Sequence, residues 1–178
     1  MNPIDVKDCL ANAVLLLDTR EHMTTALKKR IESIGWNYER VKLNFGDYSL
    51  KVPLPNGEWF SLEDKVVIER KMSLGELCLC YCGQRARFVR EFQRAAEAGA
   101  KTYLVIENSD FGSGSIWEKI SKGEYKSEMS PNSLKGSIFA WLARYNCTFI
   151  FCTSSESGEL IRNILTKEAE EMLDKYEA

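Results

Sequence analysis

Val66-Val67-Ile68-Glu69-Arg70-Lys71 decides how this chain reads: three β-branched apolar residues run straight into a carboxylate and two cations. β-Branched runs of this kind form strands buried in a sheet. Burial gives no reason to end such a strand in Glu-Arg-Lys, because an unpaired buried charge is costly. A site that holds a metal ion against a phosphate does give one. Side chains alternate across a strand, so Glu69 and Lys71 should share one face and Arg70 should point to the other. Working outward, Gly46-Asp47-Tyr48 sits at the edge of a second strand-like run. Asp18-Thr19-Arg20-Glu21 follows directly on the apolar run 13–17. Three strand ends bearing acids, with a lysine two residues past a glutamate, suit metal-dependent phosphodiester cleavage.

The chain has 178 residues and is 44% apolar, enough for one well-buried domain over 1–178. No run is long enough to span a membrane, and residues 1–8 lack the basic start and cleavage site of a secretory signal, so a soluble cytoplasmic protein is expected. Cys78, Cys80 and Cys82 alternate within five residues. That spacing suits reduced thiols rather than a disulfide framework or a zinc site. His22 is the only histidine, which excludes histidine-based triads and multi-histidine metal sites.

The net charge of −2 argues at first against nucleic acid, but its distribution is uneven. Between Arg70 and Arg94 six cations face two acids, a local +4, which leaves −6 for the rest of the chain. Positive charge therefore gathers beside the Glu-Arg-Lys strand. Arg87, Arg90 and Arg94 fall on one helical stripe. Glu91, four residues from Arg87, fits an exposed salt-bridged face equally well.

The pattern predicts strands at 13–18, 37–43, 47–52, 58–62, 65–71, 102–107 and 147–153. Helices are expected over 22–34, from Ser73 to Gly83, over 84–98, from Ser130-Pro131 onward and over 155–175. Ser73-Leu74-Gly75-Glu76 has the reciprocal capping pattern of a helix start. The helix after Pro131 should turn Leu134, Ile138, Leu142 and Tyr145 inward. Segment 108–130, polar and glycine-containing apart from a short amphipathic piece over 116–120, reads as a mobile loop or lid. Strands alternating with helices indicate an α/β domain, a mixed sheet covered by helices on both faces. Its motif-bearing core spans about 14–107, completed by a helix-strand-helix part over about 130–175.

Mg²⁺ prefers oxygen ligands and keeps several waters, so a few convergent carboxylates suffice to hold it. Asp47 and Glu69 are the expected ligands, with Asp18 and Glu21 in or beside the cluster. Lys71 would orient the attacking water or stabilise developing charge. Arg20, Arg70, Arg85, Arg87 and Arg90 are the candidate phosphate contacts.

Gly46-Asp47 followed by Glu69-Arg70-Lys71 resembles the GD…ERKxxxD signature of the XPF-type structure-specific endonucleases, a branch of the PD-(D/E)xK restriction-like nucleases. Leu17-Asp18-Thr19-Arg20-Glu21 is similar to the acidic strand end that opens that domain. The resemblance implies a restriction-endonuclease-like fold and Mg²⁺- or Mn²⁺-dependent cleavage of DNA, often at flaps, forks or junctions. It also implies active-site roles for Asp18, Glu21, Asp47, Glu69, Arg70 and Lys71, and a homodimer as a family-level expectation. Two features depart from it. The signature's last aspartate falls on Gly75, with Glu76 one position along as the substitute acid, and no tandem helix-hairpin-helix follows residue 130. The chain looks like a compact stand-alone form of the domain, similar to those of phages and bacteria. Two alternatives stand beside the nuclease. One is a catalytically silent DNA-binding or scaffold subunit, favoured by Gly75. The other is a protein-interaction domain, favoured by the pI of about 5.6.

Overall fold

The computed structural model describes residues 1–107 and 115–176. The elements follow in the order α1 (Pro3–Ala11), β1 (Val14–Asp18), α2 (Thr25–Ile34), β2 (Asn37–Val41), β3 (Tyr48–Pro53), β4 (Trp59–Ser61) and β5 (Val66–Lys71). After these come α3 (Leu74–Tyr81), α4 (Arg85–Glu97), β6 (Lys101–Glu107), α5 (Ile116–Lys122), α6 (Pro131–Arg144), β7 (Cys147–Cys152) and α7 (Ser157–Asp174).

The strands form one mixed sheet in the order β2-β1-β3-β5-β6-β7, with β4 paired to β3. β1 runs parallel to β2, and β3 is antiparallel to both β1 and β5. The β5-β6-β7 half is parallel, with Glu69 beside Leu104 and Lys71 beside Ile106. One face packs Leu15, Leu17, Tyr48, Leu50, Ile68 and Val105 against α1, α2 and α7. The other packs Leu104 and Ile106 against α3, α4, α5 and α6 through Leu77, Phe88, Phe92, Leu134, Ile138 and Trp141. The mixed α/β sheet covered on both faces is the architecture the sequence indicates.

Local chemistry explains the boundaries. Ser73 accepts from the Glu76 N–H while the Glu76 carboxylate accepts from the Met72 N–H, the reciprocal cap that starts α3. Ser130 caps α6 and Thr24 caps α2, three residues later than the sequence pattern suggests. Helix α1 was not anticipated, although Asn2 caps it by accepting from the Ile4 and Asp5 N–H groups, with proline in its first turn. On α6 the inward residue is Trp141, fully buried, whereas Leu142 is exposed. Of the expected loop, 108–114 lies outside the described residues. The rest forms α5 and a strap packed on α3. All six cysteines are free. Among the described residues no helix is long and apolar enough to cross a membrane.

Candidate active site

The antiparallel step between β3 and β5 places Tyr48 opposite Ile68, and the residue before it straddles the end of β5. Asp47 donates its N–H to the Ile68 carbonyl (2.8 Å), and its Oδ2 accepts the Arg70 N–H (2.8 Å). The close approach requires Gly46. Its φ is +73°, and a Cβ there would lie 2.8 Å from the Val67 Cβ. Glu69 and Lys71, both buried, form an ion pair on the α4 side of the sheet. The Lys71 ammonium lies 5.4 Å from the centre of the Phe88 ring. Alternation along β1 and β3 puts Asp18 and Asp47 on this same face. The structure thus brings Asp18, Asp47, Glu69 and Lys71 together at three neighbouring strand ends.

Asp18 is fully buried and saturated. Oδ1 accepts from the Arg20 N–H (2.7 Å) and Nε (2.6 Å), and Oδ2 from Arg20 Nη2 (3.1 Å) and the Leu43 N–H (2.9 Å). Burial alone would raise its pKa, but the hydrogen bonds from Arg20 and Leu43 outweigh it and hold the carboxyl below its ordinary value. Arg20 is correspondingly engaged rather than free. Its other arm lies 3.6 Å from Glu91 of α4. Among the described residues, the exposed pair with Arg87 that the spacing of Glu91 allows does not form. Glu91 is buried instead and lines a small cleft with Glu69, Lys71, Gln84, Arg87 and Phe88.

Arg70 points away from this face, as alternation requires. Its Nη2 contacts Glu107 Oε2 (3.0 Å), and Glu107 Oε1 accepts from Arg30 Nη2 (2.6 Å) and Nε (3.1 Å). Arg30 also reaches the Tyr48 hydroxyl (3.2 Å) and Ser157 Oγ (3.1 Å). This second charged network, beneath β5 and against α2 and α7, ties Arg70 to the scaffold. Its backbone N–H is what serves Asp47. Glu21 is half-buried, and its charge acts on Asp47, Tyr48 and Arg70. Arg40 Nη2 holds the turn before it through the Thr19 and Glu21 carbonyls (2.8 and 2.7 Å).

Gly75 is explained by contact. A Cβ there would meet the Lys126 carbonyl oxygen of the strap at 2.7 Å, so the strap occupies the space an acid would need. The Glu76 carboxylate is engaged as the α3 cap. Among the candidate DNA contacts, Arg85 lies over the Trp141 ring (5.6 Å) and donates to the Tyr81 carbonyl (3.4 Å). Arg87 and Arg90 are exposed, with no ion-pair or hydrogen-bond partner among the described residues.

The electrostatics suit a cation. Burial and the neighbouring Glu69 charge raise the Asp47 pKa well above the carboxylate range, even though Lys71 opposes this. Burial would lower the Lys71 pKa, but Glu69 and Asp47 outweigh it and hold the amine above its usual value. Lys71 is therefore a fixed ammonium, a source of charge and protons for hydrogen bonding rather than a base. Among the described residues no group of three or more His, Cys, Asp or Glu side chains stands assembled for a metal ion. Two mutually repelling hard-oxygen donors, Asp47 and Glu69, do fit Mg²⁺ or Mn²⁺, which complete their shells with water.

Acids and a lysine thus converge at the ends of neighbouring strands of one mixed sheet. The chain belongs to the ERCC4 domain family, whose model matches residues 17–164. The fold is similar to that of XPF from Aeropyrum pernix, at TM-score 0.56 and 17% identity over 92% of this chain and 62% of that one. Against XPF from Aeropyrum pernix in complex with DNA the TM-score is 0.58, again at 17% identity, over 89% of this chain and 66% of that one. The chain thus spans less than two thirds of these relatives' length. A looser likeness links it to the pre-specific restriction endonuclease BsaWI in its DNA complex, at TM-score 0.38 and 14% identity over 97% of this chain and 60% of that one. No curated protein matches the sequence.

Proposed function

We propose that the chain is a divalent-metal-dependent DNA endonuclease acting on branched substrates such as flaps, forks or junctions. The observation that carries this reading is the shared face of Asp47, Glu69 and Lys71 at the ends of β3 and β5. ERCC4 family membership and the fold shared with XPF support the nuclease class.

Asp47 and Glu69 would hold Mg²⁺ or Mn²⁺. When bound, the cation supplies charge neutralisation at the scissile phosphate and acidifies a water. Lys71, freed from sole pairing with Glu69, offers its ammonium to the attacking water or to a phosphate oxygen. The Arg70 N–H fixes the Asp47 carboxylate, and Arg70 itself anchors the strand end. Glu21 adds negative charge beside the site. Asp18 shapes the loop that presents Asp47. Arg87 and Arg90, on the solvent side of α4, are the free cations best placed for DNA phosphates, with Arg85 behind them. A homodimer would let two such sites address two strands.

One observation favours a second reading, a silent DNA-binding subunit: the Lys126 backbone fills the place of the signature's last acid at Gly75. Incubating the protein with labelled flap, fork, four-way-junction and linear DNA in Mg²⁺, Mn²⁺ or EDTA separates the two. Metal-dependent cutting that Glu69→Ala and Lys71→Ala abolish supports the enzyme, and tight binding without cutting supports the silent subunit.

A further inference from the structure

Glu91 is the charged group of the cleft that the proposed chemistry leaves without a role. It lies on the buried stripe of α4 with Phe88, Phe92 and Ala95, only 7% exposed. A carboxylate in that position needs a reason, since Lys71 is already paired with Glu69 and Arg87 faces solvent. Its geometric partner is Arg20, at 3.6 Å. That guanidinium is held on its opposite edge by Asp18 and reaches the carbonyls of Leu43 (3.4 Å) and Gly46 (3.5 Å). Leu43 and Gly46 bracket the loop that delivers Asp47. Asp18 grips the same loop twice more, through the Leu43 N–H and through its own N–H to the Asp47 carbonyl (2.9 Å). Arg94 of α4 adds a bond from its Nε to the Asn44 carbonyl (3.0 Å). Asp18, Arg20 and Arg94 thus hold the 43–47 loop from β1 and α4, while Asp47 itself is bonded to Ile68 and Arg70 of β5 and Asn44 to Asp64.

We propose that Glu91 is a positioning residue which, by holding Arg20 from the α4 side while Asp18 holds it from β1, locks the 43–47 loop so that Asp47 faces Glu69. This rests on the metal-site reading above and gives two residues roles that sequence reasoning assigned otherwise. Arg20, although part of its side chain stays exposed, becomes a clamp rather than a DNA contact, and Glu91 a part of the site rather than of the surface. Supporting contacts of this kind govern how well ligands are pre-placed for a cation.

The clamp separates cleanly from simple charge effects. By Coulomb's law, removing the Arg20 cation beside Asp18, Asp47 and Glu91 should strengthen divalent-cation binding. If Arg20 acts as a clamp, its removal should weaken binding, because the loop loosens. Mn²⁺ binding to the DNA-free protein is measured by titration calorimetry for the native chain, Glu91→Gln, Arg20→Gln, the double variant and Asp47→Ala. Amide hydrogen exchange is followed in EDTA on the same proteins. The expected result is a loss of roughly tenfold or more in Mn²⁺ affinity for each single variant, with the double variant no worse than the weaker single. Exchange should accelerate at the Leu43 and Asp47 amides in both single variants while the β5 amides stay protected, which shows that the fold is intact. Unchanged or tighter Mn²⁺ binding in Arg20→Gln overturns the clamp, as do effects that add in the double variant or unaltered exchange in the loop. If the native protein binds Mn²⁺ and Asp47→Ala does not, the metal site stands whatever becomes of the clamp. If binding is absent in the native chain or indifferent to Asp47→Ala, both fall.

Discussion

Replacing Lys71 with methionine tests whether the site is a charge-compensated acidic pair. Methionine keeps the stem that packs toward Phe88 and deletes only the ammonium. Lys71 and Glu69 side chains are 10% and 6% exposed, so this is a buried ion pair. Removing one partner of such a pair typically costs about 3–5 kcal/mol, because the other charge stays desolvated and alone. In a chain of this size each kcal/mol moves the melting temperature by roughly 2–4 °C, which gives a fall of roughly 6–20 °C. The metal changes the sign of the argument. A divalent cation neutralises Glu69 and Asp47 in place of the lost ammonium, so Mn²⁺ should raise the melting temperature of Lys71→Met more than that of the native protein. Circular-dichroism melts in EDTA and in saturating Mn²⁺ measure both. A variant that melts with the native protein in EDTA would show that Lys71 does not compensate the carboxylates. A gap that Mn²⁺ leaves unchanged would show that the cation does not replace it.

Gly75→Asp, which restores the acid of the signature, should destabilise the fold by about 1–3 kcal/mol because its Cβ collides with the Lys126 carbonyl; urea denaturation checks this, and a stabilised variant would contradict the packing. The Asp18 carboxyl is held below its ordinary value, so its contribution is complete above about pH 4 and disappears as pH falls through the lowered folded value. Native and Asp18→Asn proteins should therefore differ in urea midpoint near neutrality and converge in strong acid. Asp47 works in the opposite sense. Its raised folded pKa means that stability in EDTA declines as pH climbs from about 4 through that raised value, and Asp47→Asn should remove this decline. If Arg87 and Arg90 neutralise phosphates, Arg87→Ala and Arg90→Ala should each lower the slope of log affinity against log salt by about 1, without altering Mn²⁺ binding.

Strand and helix positions were legible because alternation and the 3.6-residue stripe survive in a sheet covered on both faces. Glu69, Lys71 and Arg70 could even be assigned their faces from the strand period alone. Helix α1 was missed because a nine-residue helix with three charges carries little periodicity. Its signal, Asn2 followed by Pro3, is a cap that needs no apolar stripe. Leu142 was placed inward by four-residue spacing from Ile138, whereas the helix turns Trp141 there, three residues on. The instructive misses are charged residues inside apolar stripes. Glu91 falls among Phe88, Phe92 and Ala95, and Arg30 among Leu27, Ile31 and Ile34. Spacing to Arg87 made Glu91 look like half of a surface pair. Its place on the stripe shows it to be buried, and a buried charge implies a partner from elsewhere in the chain. Those partners, Arg20 and Glu107, are distant in sequence, and no local pattern reveals them. The same holds for Gly75, whose reason is a backbone carbonyl fifty-one residues away.

The most direct measurement is cleavage itself. Native protein, Glu69→Ala and Asp47→Ala are incubated with end-labelled flap, fork, four-way-junction and linear duplex DNA in Mg²⁺, Mn²⁺ and EDTA, and the products are resolved on denaturing gels. The proposed function predicts cutting by the native protein in either metal, none in EDTA, a preference for the branched substrates and loss of cutting in both variants. Cutting that persists in EDTA or in Glu69→Ala would contradict the metal site at the end of β5. Binding of all four DNAs without any cutting would show instead that the fold has been kept and the chemistry lost.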